Sequence, residues 1–192
     1  KEVTIIGSGQ SGFEDTNEET EAADIAISEA EKKVGENVLV EKVIFGLPLT
    51  VLDGDKIRPQ HLARLKKITK ALSLTPCGFI EYPEALANYL QIKEDSPPTL
   101  LLLSLGKTQI TFSHIRVGKI ENSVIVEKTP VITSDFEKAL AAFETTEILP
   151  SRIMIYDESG ETKLDEIREE LSKFSWHKHS TFLHTPKIET LE

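Results

Sequence analysis

The run from Leu100 to Lys119 limits what this chain can fold into more than any other stretch. Four consecutive leucines, Leu100–Leu103, lead through Ser104 and Leu105 into Gly106, Lys107 and Thr108. A second apolar-rich run, Ile110–Ile115, follows, and Val117, Gly118 and Lys119 close it. Apolar runs of this length bounded by turn residues read as a buried strand, a turn at Ser104–Thr108, a returning strand and a second turn. Ile120–Glu127 adds a third strand, so the segment predicts a three-strand meander over residues 100–127.

The flanking segments alternate between helical and strand periods. Val3–Ile6 is a short β-branched run that ends in a loop over Gly7–Gly12. Thr16 or Asn17 is placed to cap a helix over Glu18–Val34, where Ala22, Ala23, Ala26, Ile27, Ala30 and Val34 share a face and Gly35 ends it. Asn37–Phe45 reads as a strand with a tight exit at Gly46–Pro48, and Asp53–Asp55 marks a turn. Pro59 opens a helix to Leu72 with Leu62, Leu65, Ile68 and Leu72 on its buried stripe. A short strand to Glu81 and Tyr82 precedes a second Pro-initiated helix from Pro83 to Ile92. After the meander, Ser134 is read as the cap of a helix over Asp135–Phe143. Ile148–Tyr156 reads as a buried strand, Thr162–Phe174 as an amphipathic helix and Thr181–Leu183 as a last strand. Lys187–Glu192 is left as a tail or linker. Such alternation implies an α/β protein of layered sheet and helices. The division expected is a first part over 1–95 and a second over 96–192.

Composition removes several classes of function. The 192 residues are 39% hydrophobic and 28% charged, ordinary values for a globular chain. A net charge of −10 argues against nucleic-acid binding, which needs a cationic face. The densest basic run, Arg64–Lys70, lies on one helix and reads as a solvated face. One cysteine, Cys77, excludes an internal disulfide framework, fits a reducing compartment and is expected to be buried. No apolar run reaches the roughly 20 residues of a membrane span.

On this pattern the chain resembles the FtsA and PilM branch of the actin-like ATPase superfamily. The resemblance rests on the helix ending Ala30–Gly35 with the strand ending Val43–Pro48, on Glu81–Ala87, and on the hairpin at Leu100–Ile120, which is similar to a phosphate-binding turn. It implies an actin-like (ribonuclease H-like) mixed sheet layered with helices, in a shortened version of that fold. In such a turn the usual Asp, Gly and Thr or Asp positions fall near Ser104, Gly106 and Ile110–Thr111, and Gly106 alone is kept. A serine cannot supply the charge that organises hydrated magnesium. No Asp-x-Gly strand precedes Gly7, and Tyr156–Gly160 offers one glycine and two acids where the family's adenosine loop has consecutive glycines.

Other motifs mislead. Gly7, Gly9 and Gly12 match a dinucleotide fingerprint by spacing, but acids follow where a helix should begin. Gly106, Lys107 and Thr108 spell the end of a P-loop, yet Leu101 stands where its first glycine belongs. His177, His179 and His184 could share a face, with no cysteine nearby to complete a zinc set. No Gly-x-Ser-x-Gly elbow raises Ser104 or Ser113 to a nucleophile.

The resemblance with these departures implies a non-catalytic scaffold of the cell-division or pilus-assembly type, working through protein partners or self-association. It also implies a bacterial, cytoplasmic setting, with membrane contact peripheral to the inner membrane and through a partner. Hydrolysis, a catalytic residue, a resident metal and a cofactor are not expected. The alternative is an ATPase that holds ATP and Mg²⁺ at Ser104, Gly106, Lys107 and Thr108, with its first phosphate motif supplied from outside this chain. A third reading is an unrelated α/β module that binds a small ligand at Gly7–Gly12.

Overall fold

The structure, a computed structural model, describes residues 4–13, 15, 18–35, 38–143, 147–158, 160, 163–176 and 182–191. These fall into two compact units, Lys1–Leu47 with Val51–Ile80 and Pro48–Thr50 with Glu81–Glu192.

In the first unit α1 (Glu19–Val34) carries an extended strap along its side. Gln10 N–H donates to Glu29 Oε2 at 3.0 Å and Lys33 Nζ to the Ser8 carbonyl at 2.8 Å. A Cβ on Gly7 or Gly9 would run into the Ala30 and Ala26 carbonyls, so these glycines serve close approach to a helix. Residues 4–6 therefore form no strand; residue 3 and the cap positions Thr16 and Asn17 lie outside the described residues. β1 (Lys42–Leu47) starts later than the alternation suggests. A 3-10 turn at Leu49–Val51 and a short hairpin of β2 (Leu52–Asp53) and β3 (Lys56–Ile57) follow, turning at Gly54 with φ +56°. α2 (Pro59–Ala71) takes Pro59 in its first turn as predicted and packs on α1, with Arg64 paired to Glu19. β4 (Thr75–Glu81) pairs with β1 in a sheet of two strands. Cys77 sits on β4 and is exposed, contrary to expectation, because none of the described residues forms a layer over the strand there.

The second unit opens with α3 (Tyr82–Glu94), whose Ala87 and Leu90 pack on the sheet that follows. β5 (Leu100–Leu105), β6 (Gln109–Arg116) and β7 (Lys119–Glu127) form the meander, with Val117 and Gly118 at positive φ in a two-residue turn. α4 (Ile132–Ala142) crosses to β8 (Arg152–Asp157), parallel to β5, and α5 (Leu164–Ser172) leads to β9 (Lys187–Leu191), parallel to β8. The five-stranded order is β7-β6-β5-β8-β9.

β5 is buried along its whole length at the centre of this sheet, which is why it reads as an unbroken leucine run. Leu101, Leu103 and Leu105 face Phe136, Leu171 and Trp176 beneath α4 and α5, while Leu100 and Leu102 face α3. Phe136 meets Phe112 at 4.6 Å and Trp176 at 5.1 Å, edge to face, and the Trp176 indole donates to the Leu171 carbonyl at 2.9 Å.

Two expectations change here. Ser134 does not cap α4, which already starts at Ile132. Asp135, fully buried, instead accepts from the Thr129 backbone at 2.6 Å and the Thr129 hydroxyl at 2.9 Å. The segment read as a tail is β9, while Phe182 makes only an isolated bridge to Leu149. Lys187, Glu189 and Leu191 alternate too weakly to announce an edge strand. Among the described residues no helix is long and apolar enough to cross a membrane.

Candidate functional site

The turn between β5 and β6 lies wholly within the second unit, at the end of its central strand. Gly106 N–H donates to the Gln109 carbonyl at 2.9 Å and closes the turn. Lys128 braces it twice, its backbone N–H donating to the Thr108 carbonyl at 2.9 Å and its Nζ to the Gly106 carbonyl at 3.0 Å. Glycine is required at 106 by space: a Cβ would stand 2.9 Å from the Gln109 carbonyl oxygen.

Strand register explains what surrounds the turn. Ser104 pairs with Thr111 on β6 and Tyr156 on β8, so all three share the face covered by α3. Two residues beyond Tyr156, Glu158 returns to that face, and its N–H donates to the Leu105 carbonyl at 3.0 Å. Its carboxylate reaches the turn, with Oε2 3.7 Å from where a Cβ on Gly106 would lie. Burial pushes the Glu158 carboxyl above the usual range, Asp157 adds to this, and the Ser104 hydroxyl draws it back. That influence stops short of a hydrogen bond. Among the described residues the buried Ser104 Oγ finds no partner at bonding distance and angle. Tyr82 and Tyr156 meet edge to face at 6.1 Å, and burial foremost raises both phenols, with Glu158 adding to each.

Of the four residues singled out in the sequence, Ser104 and Gly106 come together with Glu158. Lys107 and Thr108 lie exposed at the tip. Sequence reasoning missed Glu158, Tyr82 and Lys128. The two acids after Tyr156 were the available signal, but their closeness to Ser104 depends on the pairing of Ser104 with Tyr156, residues far apart in sequence. Of the candidate histidines, His177 and His179 fall outside the described residues. Among the described residues no three of His, Cys, Asp or Glu are grouped to hold a metal.

The site does not fit a magnesium-bound phosphate. The β5 strand offers a serine at 104 and no carboxylate, the Gly106 amide is already bonded, and the chain's own Glu158 carboxylate is aimed at the turn. A phosphate entering here would meet like charge in a partly desolvated place.

The order of the five-stranded sheet and its layering of helices define an actin-like fold. The structure of the ethanolamine utilization protein EutJ from Carboxydothermus hydrogenoformans is similar over 91% of this chain and 69% of that one, with a TM-score of 0.58 at 11% identity. The Ppx/GppA phosphatase of Aquifex aeolicus matches 64% of this chain and 44% of its own, with a TM-score of 0.36 at 10% identity. An exopolyphosphatase from Cytophaga hutchinsonii matches 73% and 50%, with a TM-score of 0.35 at 11% identity. No protein-family model and no curated protein sequence matches the chain.

Proposed function

We propose that this chain is a non-catalytic actin-like scaffold that acts through protein–protein contact. The observation that carries the reading is the β5–β6 turn, where the Glu158 carboxylate, and not an open amide, faces the space beside Gly106 that a phosphate would need. The cytoplasm of a bacterium is the compartment proposed. An assembly role of the cell-division or pilus type follows from sequence resemblance, and the fold likeness to a protein named for ethanolamine utilization makes a role in ethanolamine utilization an equal setting. A fold does not by itself fix a function.

Calorimetry with ATP and ADP, with and without Mg²⁺, tests this reading. No heat of binding at millimolar nucleotide is expected. Micromolar, Mg²⁺-dependent binding that is lost in a Gly106→Val variant and weakened in Ser104→Ala would overturn it.

One observation favours a second reading, a nucleotide-binding protein using Ser104, Gly106, Lys107 and Thr108. The orphaned Ser104 hydroxyl is a buried polar atom that an incoming ligand would satisfy. In that case the same titration gives binding, and Ser104→Ala weakens it by about tenfold, the loss of one buried hydrogen bond.

A further inference from the structure

The first unit holds a groove of about 570 Å³ between α2 and β4, away from the turn just described. Its walls are apolar: Phe45, Ile57, Leu62, Leu65, Pro76 and Phe79. Leu62 and Phe79 are each 36% exposed, so the stripe that α2 was expected to bury is only partly covered. Four consecutive residues of β4, from Pro76 to Phe79, line the groove, so it follows the strand's backbone and not only alternate side chains. Among the described residues β4 pairs with β1 alone, which leaves its other edge without a ladder partner. An apolar wall beside a two-stranded ladder suits an extended segment added as a strand.

Charge selects the occupant. α2 carries Arg64, Lys66, Lys67 and Lys70 and no acid, in a chain whose net charge is −10. Arg64 is paired with Glu19, whereas Lys66 lines the groove together with Lys56 and a single acid, Asp55. Two copies of a chain so acidic repel one another at long range, which disfavours self-docking. We propose that this groove takes an extended segment of a partner protein, alternating apolar and acidic residues, laid along β4 as an added strand with its carboxylates toward Lys56 and Lys66. The proposal rests on the reading of the chain as a protein-binding scaffold. Its test lies in a different unit from the nucleotide titration, so either can fail alone.

Cys77 is the chain's one cysteine, is exposed and lines the groove, so its alkylation reports occupancy. The probe is a synthetic nonapeptide alternating valine with glutamate, and the control carries lysine for glutamate. At saturating acidic peptide the iodoacetamide rate at Cys77 is expected to fall roughly fivefold or more, and the basic peptide is expected to leave it unchanged. Lys66→Glu reverses an exposed charge, so the fold is expected to persist by circular dichroism while affinity for the fluorescein-labelled peptide falls roughly tenfold. An unchanged alkylation rate at millimolar acidic peptide overturns the proposal, as do equal protection by both peptides and an unaffected Lys66→Glu variant. Protection that grows with protein concentration in the absence of peptide would assign the groove to a second copy and also overturn it.

Discussion

Ser104 occupies a position that strand alternation buries, with a hydroxyl that none of the described residues bonds, while Glu158 stands nearby with a carboxyl that burial makes harder to ionise. Both features weaken the fold at neutral pH, so they are more informative than a residue that simply packs. For an acid whose folded pKa lies above its unfolded value, the cost is absent below the ordinary carboxylate range of about 4.3 and grows as pH rises through the folded value. Glu158→Gln is therefore expected to raise stability at pH 7 by about 1 kcal/mol and to flatten the stability profile between weakly acidic and neutral pH. Urea denaturation at both ends of that interval checks it, and a variant less stable than wild type at pH 7 would show the carboxylate to be satisfied. Ser104 and Gly106 were legible in the sequence because a leucine run stopped at a polar residue and a glycine. Glu158 was not, because its place is set by the pairing of Ser104 with Tyr156 and not by local composition.

At the scale of single elements, two details that local reading missed have measurable weight. Asp135 satisfies the Thr129 backbone and hydroxyl from inside α4, a tertiary task that a search for caps at helix starts does not see. Asp135→Ala leaves both Thr129 donors unpaired in a partly buried place and is expected to cost about 1 kcal/mol in thermal or chemical denaturation. Strand β9 was hidden because Lys187 and Glu189 interrupt its apolar residues. Arg152 explains why it holds: its guanidinium bonds Glu94 at 2.6 and 2.9 Å and Glu189 at 2.9 Å, joining α3, β8 and β9. These contacts hold the Glu94 carboxyl below the usual range through Arg152, and that of Glu189 through Lys187 first and Arg152 next. Groups lowered in this way stabilise the fold above about pH 4.3, and that stability is lost as pH falls through their folded values. Arg152→Met is expected to cost about 1 kcal/mol at pH 7, with partial solvent screening, and to cost less as the pH falls toward 3. A cost that does not shrink on acidification would assign Arg152 a packing role alone.

Across the molecule the two units differ in how much they bury. In the second, β5 and its neighbours are enclosed by helices on both faces. In the first, the apolar side chains of β1, β4 and α2 stay half-exposed along the groove. Hydrogen exchange is accordingly expected to be slowest in Leu100–Leu105, Ile110–Ile115 and Ile153–Ile155 and faster in β1 and β4, in line with local burial. The layered α/β architecture was legible from alternating periods, and the meander from one leucine run with its turns. The unfinished burial of the first unit was not, because a helix stripe such as Leu62, Leu65 and Ile68 looks the same in sequence whether or not a layer covers it. The same exchange experiment, repeated with millimolar Mg²⁺ and ATP, tests the central claim most directly. Exchange in Leu100–Gln109 and Arg152–Glu158 is predicted to be unchanged by nucleotide. Selective slowing of those two segments would place ATP at the Gly106 turn and contradict the account of Glu158 as the group that closes it.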